Sequence, residues 1–146
     1  MNSYKILKEK HQKEVNSFPM QFAFSDKQFE EGMKNLGLDP TETDKVYSIP
    51  GGGFIRKTDS KALQEIFDRH EKEMKEAIET DKTGEGFIYD MFYYELSNHE
   101  YIITYDTYDA IQALGLTIEE VQHNSLLLKG LQNACKAQQE WYASHE

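Results

Sequence analysis

Hydrophobic and polar positions alternate in a way that divides the chain into short elements. Tyr4, Leu7, His11, Val15 and Phe18 recur at helical spacing among Lys, Glu and Gln. That periodicity predicts an amphipathic helix over residues 3–16, beginning near Ser3 and ending before Pro19. Phe22 and Phe24 then alternate with Gln21, Ala23 and Ser25, the period of a short strand over Gln21–Phe24. Ser25 or Asp26 can cap a second helix, with Phe29, Met33 and Leu36 on one face and Gly37 as its stop. The stretch "KVYSIPGGGFIRK" predicts a hairpin of Val46–Ile49 and Phe54–Lys57 around a Pro-Gly-Gly-Gly connection.

Beyond the hairpin the pattern turns helical. Thr58 or Asp59 opens a long helix whose stripe is Leu63, Ile66, Phe67, His70, Met74, Ala77 and Ile78. "TDKTGEG" breaks the chain as a surface loop. "FIYDMFYYELSNH" is apolar on nearly every side, the mark of a central helix or an interface. Tyr101–Tyr105 has strand composition, and Asp106 or Thr107 opens a helix through Ile111 and Leu114 that closes at Gly115. Thr117 with Glu120 resembles a capping box, and a last helix runs on through Val121, Leu127, Leu131, Ala134, Cys135 and Trp141. The order strand, cap, short helix, Leu-Gly-Leu is therefore spelled twice, ending at Gly37 and at Gly115.

These elements predict a single globular α+β domain over residues 1–146. A short antiparallel sheet of three or four strands packs with four to six helices. An N-terminal helix and a long C-terminal helix flank the α+β centre. The length suits one domain. Hydrophobic residues are only 38%, but aromatics at 12% supply enough buried area for a packed core.

Charge narrows the partners. The formal net charge is −10, which disfavours direct binding to nucleic acid or to an anionic membrane surface and favours either plain solubility through a solvated acidic surface or a basic protein partner. No stretch approaches the length of a membrane span, the N-terminal region is polar, and one cysteine, Cys135, permits no intrachain disulfide. A cytoplasmic protein is the expectation.

The blocks "FPMQFAFSDKQFEEGMKNLGL", "VYSIPGGGFIRKTD" and "ELSNHEYIITYDTYDAIQALGLT" together resemble a family of small uncharacterised bacterial and phage proteins. The resemblance spans roughly residues 15–120 and leaves the first and last helices outside. It implies a place among mobile-element genes and brings no catalytic residues with it.

Few residues suggest chemistry. "SNHEY" sets His99 and Glu100 at a junction where a histidine beside carboxylates could act as a general base, ligate a metal, or bond the turn's backbone, the reading the pattern favours. Gly51, Gly52 and Gly53 with Arg56 and Lys57 could gather amides and cations around an anion, though the spacing of a phosphate-binding loop is missing. Tyrosines at 89, 93, 94, 101, 105 and 108 concentrate area that either packs a core or meets a partner. No paired-His, HExxH or CxxC spacing occurs, so no catalytic residue, metal ligand or cofactor is assigned.

The leading expectation is a non-enzymatic acidic interaction protein. One form is a mobile-element-encoded inhibitor of host defence, of anti-CRISPR or anti-restriction type, acting on a basic nucleic-acid-binding partner. Its contacts would come from the hairpin residues Gly51, Gly52, Gly53, Arg56 and Lys57 and from Tyr94, His99, Glu100, Tyr101 and Tyr105. The alternative is a small-ligand or nucleotide-binding protein with a pocket near the hairpin and the "NHEY" turn.

Overall fold

The computed structural model describes residues 1–145. The fold is helix-rich α+β, with a three-stranded antiparallel sheet and, among the described residues, eight α-helices. Residues group into two compact units, one of Met1–His11 with Glu73–Glu146 and one of Gln12–Lys72.

The unit of residues 12–72 holds the sheet. Strands β1 (Gln21–Phe22), β2 (Val46–Ile49) and β3 (Gly53–Arg56) lie in the order β1-β3-β2. Ile49 pairs with Gly53 and Val46 with Arg56, so the hairpin turn is Pro50-Gly51-Gly52, with φ of +85° and +82° at its glycines. Helix α2 (Asp26–Asn35) starts at Ser25, whose hydroxyl accepts the Gln28 N–H. Met33, Leu36 and Phe54 form this unit's core, with Phe29 stacked obliquely on Phe54 at 4.9 Å. A 3-10 turn, Lys57–Asp59, then leads into helix α3 (Ser60–Thr80).

The other unit is helical. It takes in the first residues of α1 (Ser3–Asn16) and is centred on α4 (Phe87–Asn98). Ile88, Met91, Phe92 and Leu96 of α4 are essentially inaccessible, as an element apolar on all sides requires. Around it come α5 (Tyr101–Thr104), α6 (Tyr108–Ala113), α7 (Ile118–Gln122) and α8 (Ser125–Ser144), with α8 the principal neighbour of α4. Gly130 sits where α8 crosses the start of α4. A Cβ there would lie 2.4 Å from Ile88 Cγ2 and 3.1 Å from the Gly84 carbonyl, so close helix approach explains a glycine inside this helix.

The two Leu-Gly-Leu stretches form the same device. Gly37 N–H donates to Lys34 O and Leu38 N–H to Met33 O. Gly115 N–H donates to Gln112 O and Leu116 N–H to Ile111 O. Each is a Schellman closure with left-handed glycine, at φ +76° and +72°. Leu36 is buried, and Leu38, Leu114 and Leu116 pack against their units' cores.

Two expected elements differ. Tyr101–Tyr105 is the single helical turn α5, bracketed by left-handed Glu100 (φ 56°) and Tyr105 (φ 57°). The reason is packing. Tyr101 buries its ring, and its hydroxyl accepts from Gln139 Nε2 of α8 at 2.8 Å, a fit that outweighs the β propensity of "YIIT". The helix expected to run on from Thr117 is interrupted, because Asn124 turns extended and its side chain caps α8 by accepting the Leu126 and Leu127 N–H groups. The capping box of Thr117 and Glu120 is formed in full at the start of α7. Strands β1 and β3 are also displaced: β1 stops at Phe22, and β3 is Gly53–Arg56.

Candidate functional site

The acidic residues are unevenly placed along the chain. Of 26 acidic and 16 basic residues, eight acids and no Lys or Arg fall between residues 83 and 128. The remaining hundred residues are therefore almost neutral. Nearly the whole net charge comes from the stretch that builds α4 to α7.

Two of these carboxylates are consumed by the fold. Glu95 is 1% exposed, where it receives Lys8 Nζ and the Tyr4 hydroxyl at 3.3 Å and Asn98 Nδ2 at 2.9 Å. Burial, with the Glu95 charge and hydrogen bond beside it, pushes the Tyr4 phenol well above its ordinary value. Asp90 accepts from the Ser3 N–H and hydroxyl at 2.8 and 2.6 Å. These contacts hold the N-terminal turn of α1 on α4.

Of the other six, Glu85 pairs with Lys129 Nζ at 3.6 Å, and five follow between residues 100 and 120. Glu100, Asp106, Asp109, Glu119 and Glu120 are exposed. Asp106 Oδ1 accepts the Tyr108 N–H at 2.9 Å, and Glu120 Oε1 closes the capping box, so both are held by short local bonds. Ile103, Tyr105, Tyr108 and Ile118 are also exposed, at 73%, 62%, 52% and 42%. Large apolar side chains thus stand among carboxylates along α5, α6 and α7.

A cavity of about 460 Å³ lies between α6 and α7. Its floor is Ile111 and Leu116, and its walls are Tyr108 and Ile118 with Gln112, Thr117 and Glu119. Two backbone devices set its form. The closure at Gly115 turns the chain out of α6, and the box at Thr117 starts α7 three residues later. A smaller cavity of about 190 Å³ is lined by Tyr93, Ile102, Gln138 and Trp141. Gln138 is already spent there, donating to Tyr93 O and Ser97 Oγ.

The residues singled out by pattern separate into the two units. Gly51, Gly52, Gly53, Arg56 and Lys57 belong to the sheet unit; Tyr94, His99, Glu100, Tyr101 and Tyr105 belong to the helical one. Arg56 braces its own unit, donating to Asp59 Oδ2 at 2.8 Å and to Leu36 O at 3.3 Å. Lys57 Nζ lies 5.0 Å from the Tyr47 ring centre. Gly52 O accepts the Ala23 N–H, and Phe24, 80% exposed, lies against Gly52. Tyr94 packs edge-on to Tyr4 at 5.5 Å, and Tyr101 is buried. His99 caps α4 through its backbone N–H to Glu95 O. Within this tyrosine-rich set, Glu100 and Tyr105 are exposed.

Cys135 is half-buried, and burial pushes its thiol up despite the Tyr101 hydrogen bond. Among the described residues, no group of three or more His, Cys, Asp or Glu could hold a metal ion. No helix among them is long and apolar enough to cross a membrane.

The residue pattern singles out Tyr108 within its tyrosine cluster but not Asp106, Asp109, Ile118 or Glu119. A signal existed in the placement of Lys and Arg, which total charge conceals. Comparison with curated proteins and with solved structures finds no match to this chain. A family model does match, over residues 3–137, and so takes in the first helix and most of the last. The chain belongs to that family, DUF7659, a family of unknown function.

Proposed function

We propose that the chain is a non-enzymatic interaction protein that presents an acidic, tyrosine-bearing face to a basic protein partner. The observation that carries this reading is the run from residue 83 to 128, with eight carboxylates and no Lys or Arg, whose exposed members share α5 to α7 with Tyr105, Tyr108 and Ile118. Fields of one sign steer and select an oppositely charged partner, and the intervening apolar groups add area that a solvated acidic surface does not need. In its most concrete form the partner is a nucleic-acid-binding protein of host defence, and the carboxylates occupy sites where it expects phosphates. The mobile-element setting implied by the sequence resemblance supports that form.

The experiment is affinity capture from a bacterial lysate, followed by titration of the captured protein. Binding should fall steeply between about 0.05 and 0.2 M salt, as contacts between multiple charges do. It should be lost in Asp106→Lys/Asp109→Lys/Glu119→Lys, and duplex DNA should compete for the same partner. Binding that ignores both salt and charge reversal would sink the reading. Binding that responds to both, but not to DNA, would remove the defence-inhibitor form alone.

A further inference from the structure

The groove between α6 and α7 adds a feature that charge alone does not require. Ile111 and Leu116 floor it, while Tyr108 and Ile118 stand as walls that are about half open to water. Its volume of about 460 Å³ falls in the range that holds a bulky side chain or a small molecule. Carboxylates border it, Glu119 in the lining and Asp109 beside Tyr108 in sequence, and no Lys or Arg is present within the stretch that builds it. An apolar slot with an acidic rim is complementary to an apolar side chain flanked by cations.

Resting on the function proposed above, we infer that this groove seats one large apolar side chain of a partner segment whose neighbouring residues are Lys or Arg. The anchor enters between Tyr108 and Ile118, and the flanking cations meet Asp106, Asp109 and Glu119. Recognition then has two parts. The rim attracts and orients, and weakens with salt. The slot sets which basic segment stays bound, because a strand or helix carrying only Lys and Arg leaves Ile118 and Tyr108 in water. A free anionic metabolite is disfavoured by the same rim.

The test uses the full chain and a random library of twelve-residue peptides displayed on phage. Selection should enrich sequences with a Leu, Ile, Met, Phe or Trp set among Lys and Arg. For a synthesised winner, replacing that apolar residue with Ser should weaken binding about tenfold or more, the scale of burying most of a large apolar side chain. Ile118→Ser should cost a similar factor, and the two changes together should cost less than their product. Amide shifts on peptide addition should centre on Ile111, Leu116 and Ile118. Because Ile118 is open to water, its Ser variant should melt like the parent; Tyr108→Ser is the second variant if it does not.

Basic winners indifferent to loss of the apolar residue and to both groove variants would overturn the slot and leave the acidic-face reading standing. Shifts centred elsewhere would do the same. Winners lacking Lys and Arg would overturn both readings, as would a selection that enriches nothing.

Discussion

Asp81 shows how much one side chain can organise. It is 9% exposed, and its two oxygens accept five hydrogen bonds, from the N–H groups of Thr83, Gly84, Gly86 and Ile88 and from the Thr83 hydroxyl. Burial alone would raise this carboxyl's pKa. The donors at Ile88, Thr83 and Gly84 together outweigh burial and hold it below the ordinary value. A group depressed in the folded state contributes stability above its unfolded pKa of about 4, and that contribution is lost as pH falls through the folded value. Asp81→Asn should therefore lower stability at pH 7 by about 1–3 kcal/mol, the scale for buried bonds to a charged group. Urea melts should show the gap closing as pH falls below about 4. A gap that persists in strong acid would mean that the loop depends on shape and not on the charge. The loop itself was legible from its Gly-rich composition; that one carboxylate gathers it was not, because nothing local distinguishes Asp81 from a solvated aspartate.

Helix stops and helix crossings make separable demands on glycine. At Gly37 and Gly115 nothing lies within 4 Å of an added Cβ, so alanine there meets only the left-handed backbone. Each substitution should cost about 1–2 kcal/mol, and the two should be alike. Gly130→Ala differs, since helix propensity favours alanine by about 1 kcal/mol while its Cβ meets the branched Ile88 at 2.4 Å. A rigid β-branched neighbour yields poorly, so Gly130→Ala should still melt below the parent through overpacking. Thermal melts of the three variants beside the exposed control Lys82→Ala check this. Equal melting of Gly37→Ala, Gly115→Ala and the control would remove the Schellman account. Caps, stops and amphipathic stripes were legible because each follows from bonds within a few residues. Tyr101–Tyr105 was misread as a strand because Gln139, which fixes Tyr101, is thirty-eight residues away. Asn124 was overlooked because its neighbours continue a helical stripe on both sides.

Charge is a property of the whole chain, and its sum and its placement say different things. A net −10 spread evenly would mean solubility. The same number is drawn almost wholly from residues 83–128, where Glu100, Asp106, Asp109, Glu119 and Glu120 are exposed. The tyrosines behave likewise: Tyr101 is buried and Tyr94 packs on Tyr4, whereas Tyr105 and Tyr108 project beside carboxylates. Which tyrosines would serve the core and which the surface depended on the turn at α5, and so on the packing that composition does not carry. The hairpin of residues 46–56 was conspicuous in sequence, and its Arg56 bonds Asp59 and the Leu36 carbonyl within its own unit. Its glycines at 51 and 52 meet the positive φ of the turn, and the α6–α7 segment lines a cavity of about 460 Å³.

The helical unit draws on both ends of the chain, Met1–His11 and Glu73 onward, with residues 12–72 threaded between them. During synthesis the first turn of α1 leaves the ribosome long before its partners exist. Asn2 and Ser3 await Asp90, and Tyr4 and Lys8 await Glu95, each a wait of 87 to 91 residues. The sheet unit is contiguous and can close first, whereas residues 2–8 stay without Asp90 and Glu95 for most of translation. Chains stalled after residue 110, with the ribosomal tunnel still hiding α4, should protect the hairpin from protease while leaving the sites around Lys5 and Lys8 open. Protection at both places at that length would show that residues 2–8 find shelter before Asp90 and Glu95 arrive.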